Sequence, residues 1–489
     1  MKQKRIFIAL TAISLFLSLT GSCKTGPDSA PAEDLLQVHA DAGITYQTIE
    51  GFGGSNAWTS LKGNDETKTE TVRLLFSKTD GIGLSILRTR IPFRENPGDY
   101  RDGFIVTDEN GDYAYTENGG VKSFSFNWDS WEAGHTAALI SQIDALGTDG
   151  PENLKVMATP WTPPNLWKTG YPDATKPAYA GTLDPAHYAD YADILADFAL
   201  GYQSAMGKPL YAISVQNEPD YVPTGYESCA WTAVQIRDFL KILKPRFEQK
   251  GVGSSLKIIA AESMHFEEDM VLPALNDTEA AAAIDIVGVH QYDHDEESNM
   301  AAKALKNVAA AGKTLWETEV SSGDANDSSI TDGVYWAKLI HLDMTLADVN
   351  AFLYWWLWST SQSKGALISF DGDTMKTNKR LYTMGQFSRF VRPGWKRVDI
   401  TDNPVPGFFL SAFKNPAGDE MAIVAVSQRV METETSISIS GISGIGDIET
   451  WLTDETRSLE KVDSGSVSGT TVTASFPAQS VSTILLNLE

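Results

Sequence analysis

Cysteine is almost absent from this chain: among 489 residues only Cys23 and Cys229 carry a thiol. No disulfide framework can therefore hold the fold, and a packed apolar core must do so. Histidine is also scarce. The seven histidines are scattered, no Cys-x-x-Cys pair occurs, and neither a metal nor a cofactor is expected. Positive charge is outweighed, 39 Lys and Arg against 64 Asp and Glu, for a formal charge of −25. Nucleic acid and anionic membrane faces bind through basic patches, so both are excluded as partners. A neutral polysaccharide remains compatible. Long apolar runs are missing everywhere except at the amino terminus, where Lys2, Lys4 and Arg5 precede the stretch Ile6 to Leu19. A membrane span needs about 20 apolar residues, so this reads as an export signal.

Immediately after that stretch stands Thr20-Gly21-Ser22-Cys23, which resembles a bacterial lipoprotein processing site with Thr where Leu is usual. Residues 1–23 are assigned as the signal, with Cys23 as the lipidated residue, and 24–34 as a flexible tether rich in Pro, Ala, Ser and Asp. The expectation is an exported protein anchored to an envelope by lipid, or else a secreted one. Cys229, then unpaired, reads as a small buried hydrophobe. Nothing in the sequence fixes an oligomeric state, and a monomer is the default.

The composition, 42% hydrophobic and 10% aromatic, is that of a globular protein. From Ile49 to about Val391 short apolar runs alternate with longer amphipathic stretches, the signature of βα units. Eight strands are expected, at Thr48 to Gly54, Ile82 to Arg88, Leu154 to Trp161, Leu210 to Glu218, Leu256 to Glu262, Ile284 to Tyr292, Lys313 to Glu319 and Asn350 to Trp356. Helices are expected at Pro185 to Leu200 and Thr232 to Lys244. Eight units make a (β/α)8 TIM barrel over 48–393. Beyond Pro393-Gly394 the pattern is of alternating strands with Gly, Asn, Ser and Asp turns, a side β-sandwich over 394–489. Residues 35–47 are expected to add an amino-terminal strand to that sandwich.

Two segments carry chemistry. Asn217-Glu218-Pro219 closes the fourth expected strand. Proline cannot donate a ladder hydrogen bond and excludes the helical region for the residue before it, so Glu218 is expected to be held extended at the strand's end. Thr314 to Val320 ends the seventh strand with two acids, Glu317 and Glu319, which strand parity alone cannot separate. Carboxylates at the carboxyl ends of barrel strands converge on one face, and a pair of them suits glycoside hydrolysis. A surface glycan-binding protein without turnover is the alternative of another class.

The strings Tyr211-Ala212-Ile213-Ser214-Val215-Gln216-Asn217-Glu218-Pro219, Leu315-Trp316-Glu317-Thr318-Glu319-Val320 and Phe390-Val391-Arg392-Pro393-Gly394 closely resemble glycoside hydrolase family 30, especially its bacterial xylanase branch. Gly51-Phe52-Gly53-Gly54, Pro160-Trp161-Thr162-Pro163-Pro164 and Pro477-Ala478-Gln479-Ser480-Val481 continue the likeness in order along nearly the whole mature chain. The resemblance implies a barrel with a side β-sandwich and retaining cleavage of β-glycosidic bonds, foremost in xylan. It marks Glu218 as acid/base and Glu319, rather than Glu317, as nucleophile. A neighbouring ionised Glu319 is expected to raise the Glu218 pKa by repulsion. Around them, Asn217 is expected at the sugar 2-hydroxyl, Arg88 at Glu319 and Tyr292 at the nucleophile or sugar, with His290 facing the same way as a satisfied barrel histidine. Trp161 and one of Trp355 or Trp356 are expected to stack on the sugar, with Trp58 and Trp358 as further cleft candidates. Glucuronoxylanases of the family carry an arginine after the eighth strand. Here the loop Leu357 to Gly365 offers only Lys364, a point charge without a two-pronged bond, so strict dependence on glucuronate is not expected. Members cleaving β-1,6-glucans or galactans, or acting from chain ends, define the alternatives within the family.

Overall fold

The computed structural model describes residues 35–93, 103–170, 172, 178–293, 302–321, 328–359 and 365–489. The expected signal, Cys23, the tether and Lys364 lie outside the described residues. Eight parallel strands close on themselves in chain order: Gly51–Ser55, Ile86–Ile91, Lys155–Pro160, Ala212–Ser214, Lys257–Ser263, Ile286–His290, Thr314–Val320 and Ala351–Ser359. The expected barrel is thus present, and each strand overlaps its predicted segment. The second begins four residues late because Gly83, at φ +66°, packs against Arg389 and the Arg392 guanidinium before the chain straightens.

The barrel is filled, not hollow. Ile86, Met157, Ala212, Ile259, Ile286, Trp316, Ala351 and Leu353 form its inner core, where small Ala212 and Ala351 leave room for the Trp316 indole. Below them Trp316 stacks on Tyr211 with centroids 5.9 Å apart and planes 4° from parallel. Outside, the helix Tyr188–Met206 ends at Gly207 (φ +73°), while Ala233–Lys250 starts from a Thr232/Gln235 capping box and ends at Gly251. The latter runs through Pro245, where a stop was expected. Burial of Phe247 beyond the proline offsets the lost backbone bond. Among the described residues no helix is long and apolar enough to cross a membrane.

Ten further strands form a second sheet. Leu36–Thr48 lies inside it, antiparallel to Lys396–Ile400 and parallel to Thr433–Ser440. The sheet curls around a core that includes Val38, Phe408, Ile437, Phe476 and Ile484. Alternate residues of Phe408–Lys414 and Glu420–Ser427 serve two cores: Leu410 and Ile423 face that of the sheet, whereas Phe409, Phe413, Val424 and Val426 join the core of the barrel's outer layer. Thr433–Ser440, by contrast, alternates buried with exposed or half-exposed residues.

Candidate active site

A cleft of about 600 Å³ opens over the carboxyl ends of the barrel strands. Three one-residue slips in strand register build it. In the seventh strand Glu317 pairs with Val289 and Glu319 with His290, a two-residue step against one. Comparable slips occur between Ala261 and Ser263 of the fifth strand and between Tyr354 and Trp356 of the eighth. Each is a β-bulge, which re-aims a side chain at a barrel rim. Strict alternation from inward Trp316 would turn Glu319 outward. The bulge returns it to the cleft, brings Glu262 inward, and lets adjacent Trp355 and Trp356 both line the cavity.

Glu218 arrives by a different device. Past the fourth strand the chain stays wedged between its neighbours, with Asn217 N–H donating to Pro160 O at 2.9 Å and Glu218 N–H to Glu262 O at 3.0 Å. Glu218 has φ +44°, so it is left-handed and not extended as expected. Pro219 bars only the right-handed helical region, and the two cross-strand bonds select the left-handed one at a cost of about 1–3 kcal/mol.

The two carboxylates meet. One oxygen of Glu218, one of Glu319 and a ring nitrogen of His290 all lie within 4.8 Å of one another. Arg88, fully buried on the second strand, donates to Glu319 Oε2 at 2.5 Å and to Asn217 Oδ1 at 2.6 Å. Tyr292 O–H donates to Glu319 Oε1 at 2.8 Å. Burial lifts the Glu319 carboxyl above the ordinary range; the Arg88 and His290 charges oppose that lift and Glu218 adds to it. His290 Nδ1 lies 3.1 Å from Glu218 Oε1. Burial alone would lower its pKa, but Glu319, Glu218 and Glu262 together raise it to about 10. That shift favours the imidazolium form of this buried barrel histidine, held among carboxylates. The Glu218, His290 and Glu319 set has the spacing of a three-ligand metal site, but Glu319 already accepts from Arg88 and Tyr292.

Glu218, Glu319, Tyr292, Trp58, Trp161, Trp355 and Trp356 line the cavity. Trp58, Trp161 and Trp355 pack with centroids 4.8 to 5.9 Å apart. Both Trp355 and Trp356 are present where one was expected. Arg88, Asn217 and His290 are buried beside that lining: Arg88 lies under Trp161 at 4.7 Å and donates to Glu319 and Asn217, while His290 bonds Glu218. Trp358 is buried, with its indole N–H donating to Ser60 O at 3.0 Å, and is outside the cleft. Cys229 is buried, and burial pushes its thiol up to about 11.

Several residues were missed. Glu262 is fully buried, 3.2 Å from Arg88 Nη2, and accepts from Thr159 Oγ1 at 3.0 Å. Burial would raise it, but the Arg88 charge and the His290 bond hold it at about 2. Its signal was present, since it closes a predicted barrel strand as Glu218 and Glu319 do. Arg90 bridges Glu132 and Glu227, which in turn accept the Trp58 backbone and indole N–H groups, each at 3.0 Å. Tyr179, Tyr221, Tyr226 and Met264 add further wall. Three of these are aromatic, but they lie on loops without periodicity.

Residues 49–362 match the Glycosyl hydrolase family 30 TIM-barrel domain. The chain is 28% identical over 491 residues to the glucuronoxylanase XynC of Bacillus subtilis (strain 168), covering 99% of each. Among solved structures it is similar to the glycoside hydrolase family 30 subfamily 8 xylanase Xyn30A of Clostridium acetobutylicum, at 31% identity and TM-score 0.73 over 92% of this chain and 99% of that one. A GH30 endoxylanase from Clostridium papyrosolvens C71 is similar at 28% identity and TM-score 0.70, over 92% of this chain and 100% of that one.

Proposed function

Because the chain belongs to glycosyl hydrolase family 30, we propose that it is a retaining endo-β-1,4-xylanase working through Glu218 and Glu319. One observation carries the reading: the two carboxylates face each other within 4.8 Å at an aromatic cleft. A retaining pair stands about 5 to 5.5 Å apart, close enough for one group to bond the sugar directly. Arg88 and Tyr292 each direct a hydrogen bond at Glu319, favouring the negative charge a nucleophile needs. Glu319 attacks the anomeric carbon while Glu218 gives its proton to the leaving oxygen. Water then attacks the glycosyl ester, Glu218 takes a proton from it, and Glu319 departs as carboxylate. Asn217, its oxygen held by Arg88, is left with its amide N–H groups for the sugar 2-hydroxyl. The indoles of Trp161, Trp355 and Trp356 supply flat apolar faces for xylose rings.

The substrate is a neutral xylan backbone. The names of the xylanase relatives support xylan, and among the described residues no lysine or arginine lines the cleft. Product sizing on glucuronoxylan, arabinoxylan, linear β-1,4-xylo-oligosaccharides and β-1,6-glucan tests it: internal cleavage of linear xylo-oligosaccharides is expected, and turnover of β-1,6-glucan alone refutes it. Replacing Glu319 with Gly should abolish hydrolysis and azide should restore cleavage of an activated aryl glycoside. The same reading places the enzyme outside the cytoplasm, lipidated on Cys23. Support comes from the leader Lys2 to Leu19 and the small residues before Cys23, and incorporation of labelled fatty acid that Cys23→Ser abolishes is the expected result.

A further inference from the structure

Glu317 is the acid that strand parity left beside Glu319, and the proposed reaction gives it no work. Trp316 faces the inner core of the barrel, so Glu317 turns outward. It is fully buried and close to Asp343 of the helix Ile330–Leu346. Its Oε1 accepts the backbone N–H of Glu319 at 3.2 Å. That bond spans the bulge: the residue before the slip holds the amide of the residue after it. Asp343 in turn accepts from Gln291 Nε2 at 2.9 Å, and Gln291 lies between His290 and Tyr292, which contact Glu218 and Glu319.

We propose that Glu317 is the positioning residue of the nucleophile: by bonding the Glu319 amide across the bulge, it fixes the register slip that turns Glu319 into the cleft. The inference rests on the reading of Glu319 as nucleophile. The titratable groups facing Glu317 are Asp343 from the helix, whose own pKa burial also raises, His290 from the sixth strand and Glu319 from its own. Burial first, then Asp343, raises the Glu317 pKa well above the carboxylate range, which favours the neutral acid; the bond to the Glu319 amide needs only an accepting oxygen. A glutamine offers the same oxygen in the same place, without charge.

Kinetics of two variants test this. Glu317→Gln should keep kcat within about threefold of the parent, with the acid limb of kcat/KM unmoved. Glu317→Ala should lower kcat by roughly ten- to hundredfold at near-constant KM, the penalty for a misplaced reacting group, and azide should not restore it. A Glu317→Gln enzyme as inactive as Glu319→Gly, a shifted acid limb, or azide rescue at position 317 would each overturn the proposal. Should the alanine variant fail to fold, Glu317→Met, which fills the space without an acceptor for the Glu319 amide, takes its place, and an unchanged kcat in either overturns the proposal. Failure of azide to rescue Glu319→Gly would instead strike the catalytic reading itself, so the two failures are distinguishable.

Discussion

Arg88 shows what one buried cation does here. Its two terminal nitrogens hold Glu319, Asn217 and Glu262, two on strands and one just past a strand's end. Its charge favours ionised Glu319, so removing it must raise that carboxyl further. The Arg88→Ala enzyme is expected to show its acid limb of kcat/KM at higher pH, together with lower stability, because it leaves buried carboxylates uncompensated. His290 gives a second prediction. Its pKa is about 10 in the fold against 6.5 ordinarily, so its stabilising contribution is fully present below about pH 6.5 and disappears as pH rises through 10. Urea unfolding of wild type and His290→Gln should therefore converge toward pH 10. At this scale the sequence was generous. The Asn-Glu-Pro string and the acids of the seventh strand named the reactive groups, because residue type alone announces a carboxylate. What stayed hidden was Glu262, since its role comes from Arg88 and His290, which are 174 and 28 residues away along the chain.

Elements behave differently. Apolar runs fix where strands lie, and all eight barrel strands fell close to their predicted segments. Register is another matter, because a bulge is set by what the neighbouring strand presents and leaves no periodic mark. Three slips therefore escaped the sequence, and they decide which way Glu262, Glu319 and Trp355 turn. Gly288 is part of the same construction: a Cβ there would stand 2.8 Å from Glu262 Cγ and 2.9 Å from Ile259 Cγ2. Gly288→Ala should push Glu262 aside, cost about 1–3 kcal/mol by overpacking and depress kcat. Chemical denaturation alongside steady-state rates checks both.

For the whole molecule, the strand sheet is no loose appendage, since two of its strands are buried on both faces and share residues with the barrel's outer layer. Thr483 donates to the Gln386 carbonyl at 2.6 Å, and the Gln386 side chain donates to Thr453 at 3.0 Å. Thr483→Val should destabilise the protein by about 1–3 kcal/mol, in one cooperative transition, without altering kcat/KM. The alternation expected of these strands was readable in the residues and holds in Thr433–Ser440, whereas Phe408–Lys414 is buried on both faces. The partner on the outer face was not readable, because an apolar run does not say what covers it.

The strand Leu36–Thr48 has a consequence for biogenesis. It is among the first described segments to be synthesised, yet both its hydrogen-bonded neighbours lie more than 340 residues downstream. A ribosome adding about 5–20 residues per second takes tens of seconds to deliver them. Throughout that time the strand waits as an open edge, and it is zipped shut only once the chain emerging last returns to the part that emerged first.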